Sequence, residues 1–179
     1  MKTFIISDTH FGQHNMYKFV DRYGSRMRAW ADNAYQGDEY MIEKWNSVVG
    51  PNDKVYHLGD IAMPKKSIAL LGRLNGRKVL IRGNHDKFKL KDYTPYFKDV
   101  RGMHKLDRYI LTHYPVHPMS ISHWCRANIH GHIHEKTVMK RLWWGKKVPD
   151  RRYYNVCVEQ HDCVPQDFEQ IRAYVESFV

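Results

Sequence analysis

Lys78-Val79-Leu80-Ile81-Arg82-Gly83-Asn84-His85-Asp86 is the stretch that decides the architecture. Its first half is a short apolar, β-branched run of the kind that forms a buried strand, and the run stops abruptly in residues able to do chemistry. Asn84 offers a neutral oxygen, His85 a titratable imidazole, and Asp86 a carboxylate able to orient that ring. Each of these alone is an ordinary turn former; the combination is far rarer.

Outward from this stretch the same punctuation recurs. Upstream, Thr3 to Ser7 runs into Asp8-Thr9-His10, where residues two apart in an extended segment point the same way and can grip one ion. Lys54 to Leu58 ends in His57-Leu58-Gly59-Asp60, with a glycine for the sharp turn and a carboxylate at the tip that can bridge two cations. Downstream, Tyr109 to Thr112 ends at His113, and Ala127 to His130 ends at Gly131-His132-Ile133-His134. Five strand ends thus present carboxylate, amide and imidazole ligands.

The intervening sequence has helical periodicity. Met41, Ile42, Trp45, Val48 and Val49 share one helical face behind a candidate N-cap, Asp38. A second helix is expected from Lys65 to Leu74, with Ile68, Leu71 and Leu74 inward, ended by Asn75-Gly76. Lys105 to Thr112 reads as strand with a break near Asp107, and a final helix from Pro165 carries Phe168, Ile171 and Val175 on one side. The expected class is α/β, mixed sheets flanked by helices in a single domain over residues 1–179. Residues 136–152, with Lys136, Lys140, Arg141, Lys146, Lys147, Arg151 and Arg152 around Trp143-Trp144-Gly145, are expected as a basic hairpin or extended loop.

Composition narrows the class. A chain of 179 residues, 42% of them hydrophobic, suits one core that buries roughly 70% of the unfolded surface. No run approaches the roughly 20 apolar residues of a membrane span, so neither secretion nor membrane insertion is expected, and the location expected is cytoplasmic. Cys125, Cys157 and Cys163 are an odd number without a Cys-x-x-Cys pair, which excludes a disulfide framework and a zinc knuckle and leaves cytosolic thiols. Lys plus Arg at 29 against Asp plus Glu at 19 gives a net charge of +10, which favours anionic partners.

In their order and spacing these blocks, Asp-x-His, Gly-Asp, Gly-Asn-His-Asp, His and Gly-His-x-His, resemble the calcineurin-like metallophosphoesterase family over roughly Met1 to Ile171. The opening Asp8-Thr9-His10-Phe11-Gly12 resembles its small bacterial and phage-type members. The resemblance implies a four-layer metallophosphoesterase sandwich, two mixed β-sheets flanked by helices. It implies one divalent ion on Asp8, His10, Asp60 and His134 and a second on Asp60, Asn84, His113 and His132, with Asp60 shared. Mn and Fe are the family's habit, although such mixed ligands also accept Zn, Ni or Co. By the same resemblance His85 is catalytic, facing the substrate as an imidazolium, and Asp86 holds its ring. A hydroxide bridging the ions then attacks phosphorus in line, without a protein nucleophile. Gln13, followed by His14 and Asn15, departs from relatives that carry His directly after Phe-Gly, and His161 stands near where relatives show an Asn, with Asn155 retained.

The expected activity is therefore a dinuclear, metal-dependent hydrolysis of phosphate esters. Phosphodiesters are slightly favoured, since the basic surface fits a nucleotide or nucleic acid. A nuclease on DNA or RNA and a phosphomonoesterase are the alternatives. A non-catalytic scaffold is disfavoured because no ligand block is missing. His14, His57, His104, His117, His123, His130 and His161 are expected in packing, surface or supporting positions.

Overall fold

Alternation along the first strand already sets up two cores. In Thr3-Phe4-Ile5-Ile6, Phe4 and Ile6 fall on one face and Ile5 on the other, and all three are buried. In the computed structural model, which describes residues 1–21 and 23–178, Phe4 and Ile6 join Val55 and Leu80 in one cluster, while Ile5 joins Tyr56, Val79 and Ile81 in another. Strands buried on both faces are why these runs read as continuously apolar.

The first sheet has the order β11 (Gln166–Asp167), β1 (Thr3–Ile6), β2 (Lys54–His57), β3 (Arg77–Ile81), β4 (Phe97–Arg101), parallel except for β11. The second has the order β10 (Tyr153–Asn155), β7 (Ala127–His130), β6 (Tyr109–Thr112), β5 (Met103–Leu106), with β5 antiparallel to β6 and the other pairs parallel. Both are mixed, as expected, and they face one another across Ile5, Tyr56, Tyr109, Leu111 and Ile129. The outer face of the first sheet is covered by α1 (Ala34–Val48), through Met41, Ile42 and Trp45, and by the helical turns Lys65–Arg73; the short α2 (Leu90–Tyr93) leads into β4. α3 (Phe168–Glu176) adds Phe168, Ile171 and Val175 to the core between the sheets. On the outer face of the second sheet, the connection after β6 packs over Asn128, whose side chain accepts from the Val116 amide and donates to Thr112.

The basic segment is a hairpin, β8 (Met139–Arg141) antiparallel to β9 (Lys147–Pro149), turning through Gly145 at φ 88°. Asp107, at φ 50°, makes the expected break between β5 and β6, a conformation that aspartate tolerates. Among the described residues no helix is long and apolar enough to cross a membrane. The three cysteines are free and buried.

Three local expectations need correcting. The N-cap of α1 is Asn33, whose side chain accepts from the Gln36 amide at 3.0 Å; Asp38 lies inside the helix, buried, and both its carboxylate oxygens accept from the Gly12 amide. Residues 65–73 form 3-10 rather than α-helix. Ile68, Leu71 and Leu74 are spaced by three, which matches three residues per turn and aims all three inward. Lastly, α3 starts at Phe168 rather than Pro165, because Gln166 and Asp167 pair with Ile5 and Phe4 to close the β1 edge.

His57 shows how the core constrains pH. Its Nδ1 accepts from the Gly59 amide, so Nε2 carries the proton and donates to the Thr9 hydroxyl at 3.0 Å, which in turn donates to the Ile61 carbonyl. The neutral ring, stacked on Trp45, has both nitrogens satisfied, and burial lowers its pKa to about 3. Unfolded, the same ring protonates below about pH 6.5. The unfolded state therefore binds more protons in that window, so stability is complete above about pH 6.5 and declines as pH falls toward about 3. Urea titrations should show this acid limb flattened in His57→Gln; an unchanged limb would contradict it.

Candidate metal centre

Parallel pairing within each sheet sends β1, β2 and β3, and likewise β6 and β7, to the same edge, where open α/β sheets place their ligands. The loops there are sewn together by main-chain hydrogen bonds, Asp8 to Gly59, His10 to Asp60 and Gly131 to His113, each between 2.9 and 3.0 Å. Asp8, His10, Asp60, His132 and His134 all have left-handed φ, from 49° to 71°. Strained backbone at non-glycine residues persists where the surroundings over-determine it, and it clusters at functional sites. The glycines of the motifs make the approach possible. A Cβ on Gly59 would lie 2.7 Å from the Gly83 Cα and 2.8 Å from Nδ1 of His113, and one on Gly83 would run into the Asp60 carboxylate.

Two groups of side chains result. Asp8, His10 and His134 each offer a ligand atom within 4.8 Å of the others, and so do Asp60, His113 and His132. Asp60 stands between them: its Oδ2 is 3.7 Å from His10 Nε2 and 3.5 Å from His113 Nε2. Asn84 joins the second group, its Oδ1 being 2.8 Å from His113 Nε2. The Leu58 carbonyl can only accept, so His113 Nδ1 donates to it and Nε2 keeps its lone pair for an ion. The residues fit cations on a further count. Asp8 Oδ1 and both ring nitrogens of His10 are buried without a hydrogen-bond partner, a costly arrangement unless something charged completes it.

Electrostatics point the same way. Burial alone would raise Asp8, but the His10 ring 3.8 Å away and the fields of His113 and His134 hold it well below the usual carboxylate range. Burial lowers His132, which favours the neutral, ligating ring.

His85 sits beside this cluster, partly exposed, with its ring edge-on to His10 at 5.6 Å and its amide donating to Asp60 Oδ1 at 2.7 Å. The expected Asp86 contact is different. Asp86 is buried, and its carboxylate accepts from the amides of Asp60, Ile61 and Gly83 at 2.8 to 3.0 Å rather than from the His85 ring. A carboxylate next to amide donors of two converging loops binds those loops together, and that geometry places Asp60 and Asn84.

Sequence reading missed the buried support. Arg28 is fully buried and donates to the carbonyls of Asp8 and Thr9 and to the Glu159 carboxylate. Glu159, its side chain 2% exposed, lies 3.2 Å from His134 Nδ1, and the Cys157 thiol donates to Asp8 Oδ2 at 3.2 Å. Arg28 lies in an aperiodic polar stretch and Glu159 twenty-five residues beyond His134, so no spacing announces either. Burial raises Glu159, but the Arg28 charge and His134 overcome it and keep the carboxylate ionised. His130 is buried behind the last block, its Nδ1 at the Gly131 carbonyl, and His161 reaches the Asn155 carbonyl.

The model of the calcineurin-like phosphoesterase superfamily domain matches residues 1–149. The chain belongs to that superfamily. Calcineurin-like phosphoesterases act on phosphate esters with divalent metals, and the two ligand groups described above are where this member would hold them. A Methanocaldococcus jannaschii protein, "Uncharacterized protein MJ1445", is 32% identical over 98% of this chain and 92% of its own length. The "Gene 66 protein" of Mycobacterium phage L5 is 37% identical over 47% of this chain and 39% of that protein. Among solved structures, the Aquifex aeolicus protein of unknown function AQ665 superposes with a TM-score of 0.65 at 23% identity, covering 96% of this chain and 98% of that one, and so shares the fold.

Carboxylate support behind a ligating histidine fixes its tautomer and raises its basicity. Glu159→Gln is therefore expected to weaken binding of the metal at Asp8, His10 and His134 by about 10–100-fold. Competition against a chelator, with the melting temperature as a folding control, checks this.

Proposed function

We propose that this calcineurin-like phosphoesterase hydrolyses phosphate esters with two divalent ions, diesters in preference to monoesters. The observation that carries the reading is the Asp60 carboxylate lying within 3.7 Å of imidazoles of both ligand groups. Asp8, His10, Asp60 and His134 would hold one ion, and Asp60, Asn84, His113 and His132 the other; manganese or iron is our first choice for both. When bound, the ions acidify water and neutralise charge on the phosphoryl oxygens.

The protein's own groups do the rest. The main-chain bonds between loops fix the ligands before substrate arrives, so little reorganisation is needed during reaction. Leu58 holds the His113 ring in the tautomer that leaves Nε2 free. His85, anchored through its amide to Asp60 and open to solvent on its other side, gives a proton to the leaving oxygen. The net charge of +10 favours approach of anionic diesters.

Manganese-loaded protein is expected to hydrolyse bis(p-nitrophenyl) phosphate faster than p-nitrophenyl phosphate, and a chelator is expected to stop both. Release of p-nitrophenolate from neither ester by the loaded protein would defeat the reading; faster monoester cleavage would overturn only the preference.

A further inference from the structure

Beside His132 and His134 opens a groove of about 1150 Å³, walled on one side by Met16, Phe19, Val20 and Met27 and on the other by Lys136 and the β8–β9 hairpin. A phosphoryl group needs far less room, and a pocket of roughly 300–1,000 Å³ already holds a drug-sized molecule. The walls are of two kinds. Phe19, Val20 and Met139 are apolar and about half exposed. Lys136 and Lys147 bring cations to the same groove.

The hairpin continues this character beyond the groove. Residues 136–152 carry seven Lys and Arg against one acid, Asp150. Arg152 is paired with Asp150 and Arg151 lies over the Phe178 ring, whereas Lys136, Lys140, Arg141, Lys146 and Lys147 form no ion pair among the described residues. Trp143 and Trp144, 92% and 58% exposed, stand at the turn with their rings edge to face. Of the two carboxylates in the groove, Asp21 already accepts from the amides of Tyr23 and Ser25, and Glu135 is exposed to solvent. Exposed apolar surface gathered in one place marks interaction sites, and cations without ion pairs on either side of two adjacent aromatic rings suit a ligand with regular negative charge and flat apolar faces.

We propose that this groove and hairpin bind single-stranded nucleic acid and lead its phosphodiester backbone to the candidate metal centre, an inference that rests on the phosphodiesterase reading above. Lysines and Arg141 pair with phosphates, and Trp143, Trp144 and the apolar wall stack against bases. A duplex keeps its bases stacked inside and offers those rings nothing, so the preference is for single strands.

The test measures binding of a labelled oligothymidylate by fluorescence anisotropy, using metal-free full-length protein, from low to physiological salt. Binding that weakens with salt is expected, each neutralised phosphate contributing about 0.7 to the log–log slope. Trp143→Ala with Trp144→Ala should weaken it about tenfold or more while keeping the slope, and Lys140→Glu with Lys147→Glu should weaken it and reduce the slope. Circular dichroism melting confirms that both variants fold. Absence of binding at low salt, wild-type affinity in both variants, or equal affinity for a duplex of the same length would overturn the proposal. Hydrolysis of bis(p-nitrophenyl) phosphate by the unaltered, manganese-loaded protein is measured alongside. If that ester is cleaved and the oligonucleotide is not bound, the groove assignment alone falls; if the oligonucleotide binds and the ester is not cleaved, the catalytic reading alone falls.

Discussion

Asp60→Asn is expected to lower kcat/KM for a phosphodiester by at least about 10³-fold, which corresponds to about 4 kcal/mol of lost transition-state stabilisation. The substitution is chosen because it disturbs little else. Asparagine tolerates the left-handed backbone that Asp60 adopts at φ 55°, and its carbonyl oxygen can still accept the His85 amide at the place of Oδ1. What it removes is the negative charge between the imidazoles of His10 and His113. Two cations at close range repel strongly unless an anion lies between them, so at least one should be lost from the folded protein. Elemental analysis beside kinetics separates this from unfolding: the variant should melt near the wild type while carrying less metal. A variant with full metal content and full activity would remove Asp60 from the centre.

His85→Ala is expected to leave both ions in place and slow turnover by about 10²–10⁴-fold. His85 belongs to neither ligand group, yet its ring lies against His10 and its amide against Asp60. If its task is to protonate the leaving oxygen, the loss should be largest for alkyl esters, whose leaving groups need a proton, and smallest for p-nitrophenyl esters, whose leaving group departs as an anion. Loss of metal in His85→Ala, or an equal rate loss for all leaving groups, would assign the residue to positioning instead.

Which parts of this were legible in the sequence follows from which forces are local. The five strand runs could be found because they are largely buried on both faces, a burial written as apolar residues, interrupted in Ala127–His130 by Asn128 and His130, just ahead of the candidate ligands. The break at Asp107 was announced by its residue and the turn at Gly145 left a hairpin or an extended loop open; the antiparallel pairing on either side of each comes from the structure. The kind of helix over 65–73 was not, since Ile68, Leu71 and Leu74 satisfy a period of three as well as they satisfy an α-helical face. Asp38 reads as a cap in one dimension; in three it meets the Gly12 amide, 26 residues away in sequence. The same limit hid Arg28 and Glu159, whose pairing spans 131 residues, and misplaced the role of Asp86, whose partners are amides on another loop. The candidate ligand blocks could be picked out because metal chemistry restricts residue type; the groups that hold them in place could not, because almost any buried donor or acceptor could do so.

The central claim is a pair of cation sites sharing one carboxylate, and metal stoichiometry tests it most directly. Equilibrium dialysis of the folded protein against manganese, followed by elemental analysis, should give two ions per chain, with at least one lost in Asp60→Asn and one weakened in Asn84→Ala and His113→Ala. Retention of no manganese, iron or zinc by the folded wild-type chain, or an unchanged count in Asp60→Asn, would contradict the account.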